Sequence, residues 1–186
     1  ITNNHSRKVA HLLRSQHDCV ISTSKTINFD NARLNCRING LDNNKPDLFI
    51  IDLRLKLKKN LILNKLLNKR KTYLITLKKN YDKISFYKKL GYKVIFINSL
   101  NGKKDFNKLY DKIYKMGYSR IFFETGLTLL SHLIKNKLIN DLYIFKGNNE
   151  LGKNGKNNMS NVYLKKILPK LLTINLNGDK LFKKEF

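Results

Sequence analysis

The sequence predicts an α/β fold with a mostly parallel central sheet, flanked by helices and followed by a C-terminal antiparallel hairpin. Short apolar runs alternate with amphipathic segments along most of the chain, as in folds built from strand–helix–strand units. The final stretch, LLTINLNGDKLFKKEF, places Asn177 and Gly178 between two alternating segments, which is typical of a hairpin turn. We expect this hairpin to add antiparallel edge strands to the sheet.

Six segments have the length and apolar content of strands, and the first three are predicted to be buried. They are Cys19–Ser22, Asp47–Asp52, Thr72–Thr76, Lys93–Ile97, Ser119–Glu124 and Asp141–Phe145. Four other segments carry apolar residues at helical spacing and predict helices. They are His5–His17, Lys83–Gly91, Asp105–Gly117 and Gly126–Asn136. Ser6 is the predicted N-cap of the first helix, and Gly91 and Gly117 are predicted to end the second and third.

The chain is interpreted as one domain, 1–186, because no internal repeat or linker is visible. The run Gly147–Asn161, rich in Asn, Gly and Lys, predicts the longest loop. Since the sequence begins with Ile1 instead of Met, we expect it to be part of a longer protein.

A formal net charge of +25 raises the possibility of a nucleic-acid partner. The cations are 31 Lys but only 7 Arg, spread along the chain, and 25 Asn accompany them. High fractions of Lys, Asn and Ile together are what the codon bias of an AT-rich genome produces. The composition therefore favours solvated surface lysines, and a nucleic-acid partner is the less favoured alternative. No apolar run reaches the roughly 20 residues of a membrane span. Two cysteines and four scattered histidines favour a reducing, cytoplasmic location and no metal site.

The segment Ser24–Arg37, SKTINFDNARLNCR, concentrates polar and charged groups directly after the first predicted strand. It is predicted to be a loop, with Arg33 and Arg37 following Asp30. An Asn-rich surface loop without function is the alternative.

A second candidate is Phe122–Leu130, FFETGLTLL, in which a buried strand ends at Glu124 and a helix follows Gly126. In open α/β sheets, ligands bind beyond the carboxyl ends of the strands, where helix N-termini favour phosphate. A plain strand-to-helix turn with a Thr cap is the alternative here.

Taken in order, these residues resemble the reductase domain of the bifunctional riboflavin-biosynthesis deaminase/reductase. The first 37 residues resemble that family's pattern of a Thr-Ser start, a helix ending in Leu-Arg, a buried strand and the motif TV..D.P.L..R, with Leu13-Arg14, Thr26, Asp30, Leu34 and Arg37 at matching spacing. The segment IFFETGLTLLSHLIKNKLINDLYIF is similar to its strand–EGG–helix–LVDEL segment, and Glu150–Gly155 to the following Leu-Gly loop.

The resemblance implies a dihydrofolate-reductase-like fold and NADPH-dependent reduction of the ribosyl group of 5-amino-6-(5-phosphoribosylamino)uracil. It implies that the substrate is bound by a set of four residues, of which the two Arg suit its 5-phosphate. These are Arg14, Leu34, Arg37 and Glu124. It further implies that a second set binds the cofactor. These are Thr26, Asp30, Gly126, Leu127, Thr128 and Leu129. Asp30 is also the candidate catalytic group, as the carboxylate best placed to bias protonation near the reacting carbon.

Three positions depart from the family pattern. Ala32 replaces a Pro, Thr125 replaces a small residue after the Glu, and Leu53 stands where a small hydroxylic residue normally contacts the cofactor. The resemblance also implies that the domain's first strand lies upstream of Ile1, with a deaminase domain before it, and it implies a homodimer. The alternatives are another dihydrofolate-reductase-like enzyme, a nucleic-acid-binding domain, or a catalytically drifted domain of the same fold.

Overall fold

The computed structural model describes residues 2–41, 46–147 and 170–186. Eight strands lie in these ranges: β1 (Cys19–Thr23), β2 (Asp47–Ile51), β3 (Thr72–Leu77), β4 (Lys93–Ile97), β5 (Ile121–Phe123), β6 (Asp141–Lys146), β7 (Lys170–Leu176) and β8 (Asp179–Glu185). The α-helices described are α1 (Asn4–Ser15), α2 (Ser24–Asp30), α3 (Ser85–Leu90), α4 (Lys103–Lys115) and α5 (Leu127–Lys135), and 3₁₀ helices occupy Ile62–Leu66 and Lys78–Lys83. The predicted α/β class is confirmed.

Contacts within the chain define two compact units. The larger unit, His11–Gly126, contains a five-stranded sheet in the order β4-β3-β2-β1-β5 with every pairing parallel. β1 to β3 are buried along almost their whole length, as expected for strands covered on both faces. Val20, Leu48, Ile50 and Leu74 are fully buried in one hydrophobic cluster of this unit.

The smaller unit, Ile1–Ala10 with Leu127–Phe186, contains the predicted hairpin. Asn177 and Gly178 both have positive φ, 51° and 98°, which a two-residue hairpin turn requires. The expectation that the hairpin extends the parallel sheet is wrong. Its strand β8 pairs with β7 on one side and with β6 on the other, so β6, β8 and β7 form a separate antiparallel sheet.

The prediction of a loop for the whole of Ser24–Arg37 is also wrong, because its first half is the helix α2. Thr23 caps this helix, with its hydroxyl oxygen accepting from the Thr26 N–H at 3.2 Å. Ile27 is fully buried on the inner face, and Asn31, at a φ of 46°, ends the helix in the left-handed region. A short helix with a single fully buried apolar anchor leaves little periodic signal in the sequence.

The predicted first helix is confirmed as α1, but its N-cap is Asn3 instead of Ser6. The Asn3 side-chain oxygen accepts from the Ser6 N–H at 3.0 Å. The Ser6 hydroxyl donates to Asp179 at 2.5 Å, and the Asn3 N–H donates to the same carboxylate at 2.9 Å. Ser6 therefore fastens the start of the helix to the C-terminal hairpin, a contact that sequence spacing does not reveal.

The predicted loop at 147–161 and the Glu150–Gly155 match lie outside the described residues, apart from residue 147. In the part of the chain that is described, no helix combines the length and apolarity needed to cross a bilayer. Both cysteines are buried free thiols, and burial raises the pKa of Cys19 to about 12.

Asp18 joins the amino ends of β1 and β5. Its hydrogen bonds make the free energy of unfolding depend on pH. One of its carboxylate oxygens accepts from the N–H groups of Arg120 and Ser119, at 2.7 and 2.8 Å. These bonds, the one from Arg120 foremost, lower the pKa of Asp18 from 3.8 to about 2. Because the folded-state pKa is depressed, the stabilisation is present above pH 3.8 and is lost as pH falls toward about 2.

We therefore expect Asp18→Asn to lower the free energy of unfolding at pH 7 by about 1–2 kcal/mol, after allowing for solvent screening. Urea denaturation at pH 7, 5 and 3 measures this, and the difference from the unsubstituted protein should narrow at the lowest pH. Asp111→Asn, at an exposed position of α4, is the control. A difference that is constant across this range would contradict the assignment.

Candidate active site at the carboxyl edge of the parallel sheet

The parallel sheet has a topological switch point between β1 and β5. From β1 the chain adds β2, β3 and β4 outward on one side, and then places β5 on the other side of β1. Because β1 and β5 are parallel neighbours, the residues that follow these two strands leave the same edge of the sheet. In open α/β folds, the crevice at such a switch point is where ligands bind.

The backbone at the end of β5 is held firmly against β1. The Glu124 N–H donates to the Ile21 carbonyl at 3.0 Å, and the Ser22 hydroxyl donates to the Glu124 carbonyl at 2.6 Å. Ser22 is fully buried. These bonds fix the main chain of Glu124 at the switch point. The orientation of its side chain is set by other contacts.

Arg14, in the last turn of α1, makes a two-pronged ion pair with Glu124. Its Nε and Nη2 donate to the two carboxylate oxygens at 2.7 and 2.6 Å. The Arg14 side chain is only 11% exposed and that of Glu124 34%, so the pair lies in a partly desolvated place where it is stronger than a surface pair. The structure thus brings together two residues that the resemblance assigns to the substrate.

Arg37, also assigned to the substrate, lies beside this pair and shares its scaffold. Nη1 of Arg37 donates to the side-chain oxygen of Asn35 at 3.0 Å, and Nη1 of Arg14 donates to the Asn35 carbonyl, also at 3.0 Å. His11 Nδ1 lies 3.2 Å from the Arg37 backbone nitrogen and 3.3 Å from Nη1 of Arg14. Burial first, and then the charges of Arg14 and Arg33, lower the pKa of Arg37.

Thr26 and Gly126, both assigned to the cofactor, are neighbours. A Cβ at Gly126 would lie 3.9 Å from the Thr26 hydroxyl oxygen, an ordinary contact distance. Gly126 is not among the glycines with positive φ, so neither backbone conformation nor crowding by the fold requires glycine here. The fold leaves room at this point that a side chain would partly fill, which suits the close approach of a ligand.

Asp52, at the end of β2, organises the neighbouring loop. One carboxylate oxygen accepts from the Ser24 hydroxyl and the Lys56 N–H, both at 2.9 Å, and the other accepts from the Leu57 N–H at 2.7 Å. These bonds tie α2 to the loop after β2, so Asp52 has a structural role. Leu53, the departure from the family pattern, follows it in the turn and offers no hydroxyl.

The backbone that follows α2, at Arg33 and Leu34, is hydrogen-bonded to a buried cation, Arg70. Its guanidinium donates to the carbonyls of Leu34 and Pro46, at 2.7 and 3.2 Å, and to that of Arg33. Leu34 itself adopts a φ of 51° and buries its side chain in the hydrophobic cluster around Val20. The Leu34 side chain therefore packs in the core. Its contact with substrate stays a prediction.

The remaining predicted residues lie outside this group of contacts. Asp30 is exposed at the end of α2, and its carboxylate has no hydrogen bond or ion pair with the described part of the chain. Leu127, Thr128 and Leu129 form the first turn of α5 in the other unit, where free N–H groups suit an anion. Their cofactor role stays a prediction.

Sequence reasoning missed His11, Asn35 and Arg70. His11 could have been found from its spacing, because it lies three residues before Arg14 and therefore on the same face of the helix. Nothing local marks Arg70, because its partners lie 24 to 37 residues away along the chain. Within the described residues, no group of His, Cys, Asp and Glu side chains could hold a metal ion.

Comparison with known proteins places this arrangement in a family. Residues 1–179 match the family model described as the RibD C-terminal domain. The chain belongs to the RibD C-terminal domain family. The predicted resemblance is therefore confirmed, over almost the whole sequence.

Several solved structures share the fold. Acinetobacter baumannii RibD matches 98% of this chain and 51% of its own length, with 22% identity and a TM-score of 0.76. The Saccharomyces cerevisiae riboflavin biosynthesis reductase Rib7 matches over 98% of this chain and 81% of its own, with 20% identity and a TM-score of 0.74. A Thermotoga maritima deaminase/reductase covers all of this chain at 17% identity and a TM-score of 0.69.

The dihydrofolate-reductase-like class predicted from the sequence is confirmed by these structures. The chain spans about half the length of the Acinetobacter protein. No match is found among curated proteins.

Proposed function

We propose that this chain is a reductase domain of riboflavin biosynthesis that uses NADPH to reduce the ribosyl group of 5-amino-6-(5-phosphoribosylamino)uracil to the ribitylamino product. The observation that carries the proposal is the pairing of Arg14 with Glu124 beside Arg37, at the switch point of the sheet. Family membership adds support, and the Thermotoga protein is named as a reductase of this same compound. That protein is also named as a deaminase, in keeping with the expected upstream domain.

The cations suit the anionic end of such a substrate. Arg14 is oriented by Glu124, and Arg37 carries a charge that no ion pair with described residues offsets. A phosphate accepts several N–H groups at once, and a guanidinium fork matches its geometry. The Nε–Nη2 fork of Arg14 already binds Glu124 and its Nη1 binds Asn35, so the fork offered to the phosphate is that of Arg37. We assign the 5-phosphate to these two Arg residues.

The residues at Thr26 and Gly126 fit a nicotinamide dinucleotide, because the fold leaves open space beside the Thr26 hydroxyl. When bound, this cofactor supplies a hydride to C1′ of the open-chain imine form of the substrate, while a proton is taken up by the adjacent nitrogen. The protein's share is to hold the reacting carbon in register and to exclude water. Asp30, whose exposed carboxylate is unpaired in the described residues, is assigned to biasing that protonation.

The test of the cofactor assignment is Gly126→Ala in the full-length protein. We expect an unchanged melting temperature, because the new methyl group has an ordinary contact with Thr26. NADPH should bind about tenfold or more weakly, since the methyl group occupies space that the ligand needs. Thermal shift in the presence of NADPH and substrate-dependent oxidation of NADPH, followed at 340 nm, measure the two effects.

Gly102→Ala is the matched control, because Gly102 also has a negative φ and nothing within 4 Å of a new Cβ. Equal NADPH affinity in both variants would contradict the cofactor site. Absence of substrate-dependent NADPH oxidation in the unsubstituted full-length protein would overturn the proposed function itself.

A further inference from the structure

Arg14 and Arg37 are two like charges bound to the same residue, Asn35, with Arg14 buried and Arg37 exposed. Glu124 offsets the charge of Arg14, but Arg37 has no ion pair with any described residue. The charge of Arg14 helps to lower the pKa of Arg37, which shows that the two repel each other. Two neutral residues, His11 and Asn35, each join the two arginines. His11 contacts Nη1 of Arg14 and the backbone N–H of Arg37, and Asn35 accepts from Nη1 of Arg14 and from Nη1 of Arg37.

The hydrogen bonds of His11 fix its tautomer. Its Nδ1 faces the backbone N–H of Arg37 and Nη1 of Arg14, and both of these groups can only donate. Nδ1 must therefore present its lone pair, and the ring proton lies on Nε2. The imidazole thus accepts from the two arginines that the proposed function assigns to phosphate, from one through its side chain and from the other through its main chain.

The surroundings keep the ring in this neutral state. Burial, Arg14 and Arg37 lower the pKa of His11 from 6.5, and they outweigh the Asn35 backbone and Glu124, which raise it. A second ring proton would turn Nδ1 into a donor facing two donors and would add a third positive charge. The site is therefore built around an acceptor at this position, and a cation would disrupt it.

We propose that neutral His11 is a positioning residue for the substrate phosphate, acting through its Nδ1 lone pair, which sets Arg14 and Arg37 in register for one anion. The inference rests on the proposed function for the identity of that anion. It adds a residue that would not touch the reacting atoms. Its contribution would be to pre-organise the two cations before the ligand arrives.

Two substitutions separate the lone pair from the bulk of the ring. His11→Phe keeps a planar ring and removes the acceptor. His11→Asn removes the ring but places Oδ1 as many bonds from the backbone as Nδ1, so that it retains an acceptor. His5→Asn, at an exposed position of the same helix, is the control.

The measurements are the Kd of ribose 5-phosphate by calorimetry at pH 7.5, and KM and kcat for the aminouracil substrate, all on the full-length protein. We expect His11→Phe to raise both Kd and KM by about 10- to 100-fold, the range for hydrogen bonds to charged groups. Its kcat should change less than about threefold, and His11→Asn should stay within about threefold of the unsubstituted protein in all three values. If His11 had a purely structural role, His11→Phe would lower the melting temperature. KM would then not rise more than kcat falls, and His11→Asn would not restore binding.

Ribose 5-phosphate affinity unchanged by His11→Phe would overturn the inference, as would His11→Asn binding as weakly as His11→Phe. Failure of the unsubstituted protein to bind ribose 5-phosphate would also overturn it. If binding follows the expected pattern but no protein oxidises NADPH with the aminouracil, the proposed reaction is wrong and the positioning role of His11 stands.

Discussion

Glu124→Gln is expected to lower kcat/KM for the aminouracil substrate by at least about 100-fold, because misplacing a substrate-positioning group by 1 Å can cost that much. The neutral amide can accept only one of the two Arg14 N–H donors with its oxygen, and its NH₂ group faces the other. Arg14 then loses both its orientation and the charge that offsets its repulsion of Arg37. The two cations should separate, and the proposed phosphate site should open.

The same substitution should have a smaller effect on the fold. Glu124 is one-third exposed, so water reaches the vacated side of Arg14, and we expect a loss of about 1–2 kcal/mol, below the value for a fully buried pair. Steady-state kinetics and urea denaturation measure the two effects. Glu185→Gln, which removes an exposed carboxylate from an ion pair in β8, is the control. Turnover by Glu124→Gln within about tenfold of the unsubstituted protein would contradict the proposed role of the pair.

The position of the candidate site in the chain, but not the contacts that build it, could be predicted from the sequence. A strand ending in Glu124 and followed by Gly126 indicated the carboxyl edge of a parallel sheet, and the family pattern singled out Arg14 and Arg37. The ion pair itself joins residues 110 positions apart, and no local pattern encodes such a contact. The order of strands around β1 decides it, because that order puts the end of β5 beside the end of α1.

Helix α2 shows a different limit. Its sequence, SKTINFD, has one fully buried apolar residue and no acidic residue in the first turn, so helical periodicity and dipole signals are both weak. The helix forms because Thr23 caps it and because Ser24 is bonded to Asp52, 28 residues away. Tertiary contacts of this kind override local propensity, and they give the polar residues at this point a structural role.

Arg70→Met is expected to lower the free energy of unfolding by about 3–5 kcal/mol, the range for leaving buried partners of a charged group unpaired. Arg70 is 7% exposed, and its guanidinium serves the carbonyls of Arg33, Leu34 and Pro46. Met has similar length but no donor, so these acceptors would be left without it in the interior. Burial lowers the pKa of Arg70 to about 10, so the group is still charged at neutral pH.

Urea denaturation at pH 7.5 measures this loss, with Arg54→Met as the control because Arg54 is exposed in the turn after β2. Arg70→Lys should recover only part of the stability, since one ammonium cannot reproduce a planar fork aimed at separate carbonyls. A loss below about 1 kcal/mol for Arg70→Met would mean that water replaces the guanidinium. Because the same carbonyls anchor the segment that leads to Arg37, a large loss of stability in Arg70→Lys should be accompanied by a higher KM. The fold and the proposed phosphate site would then depend on one buried cation.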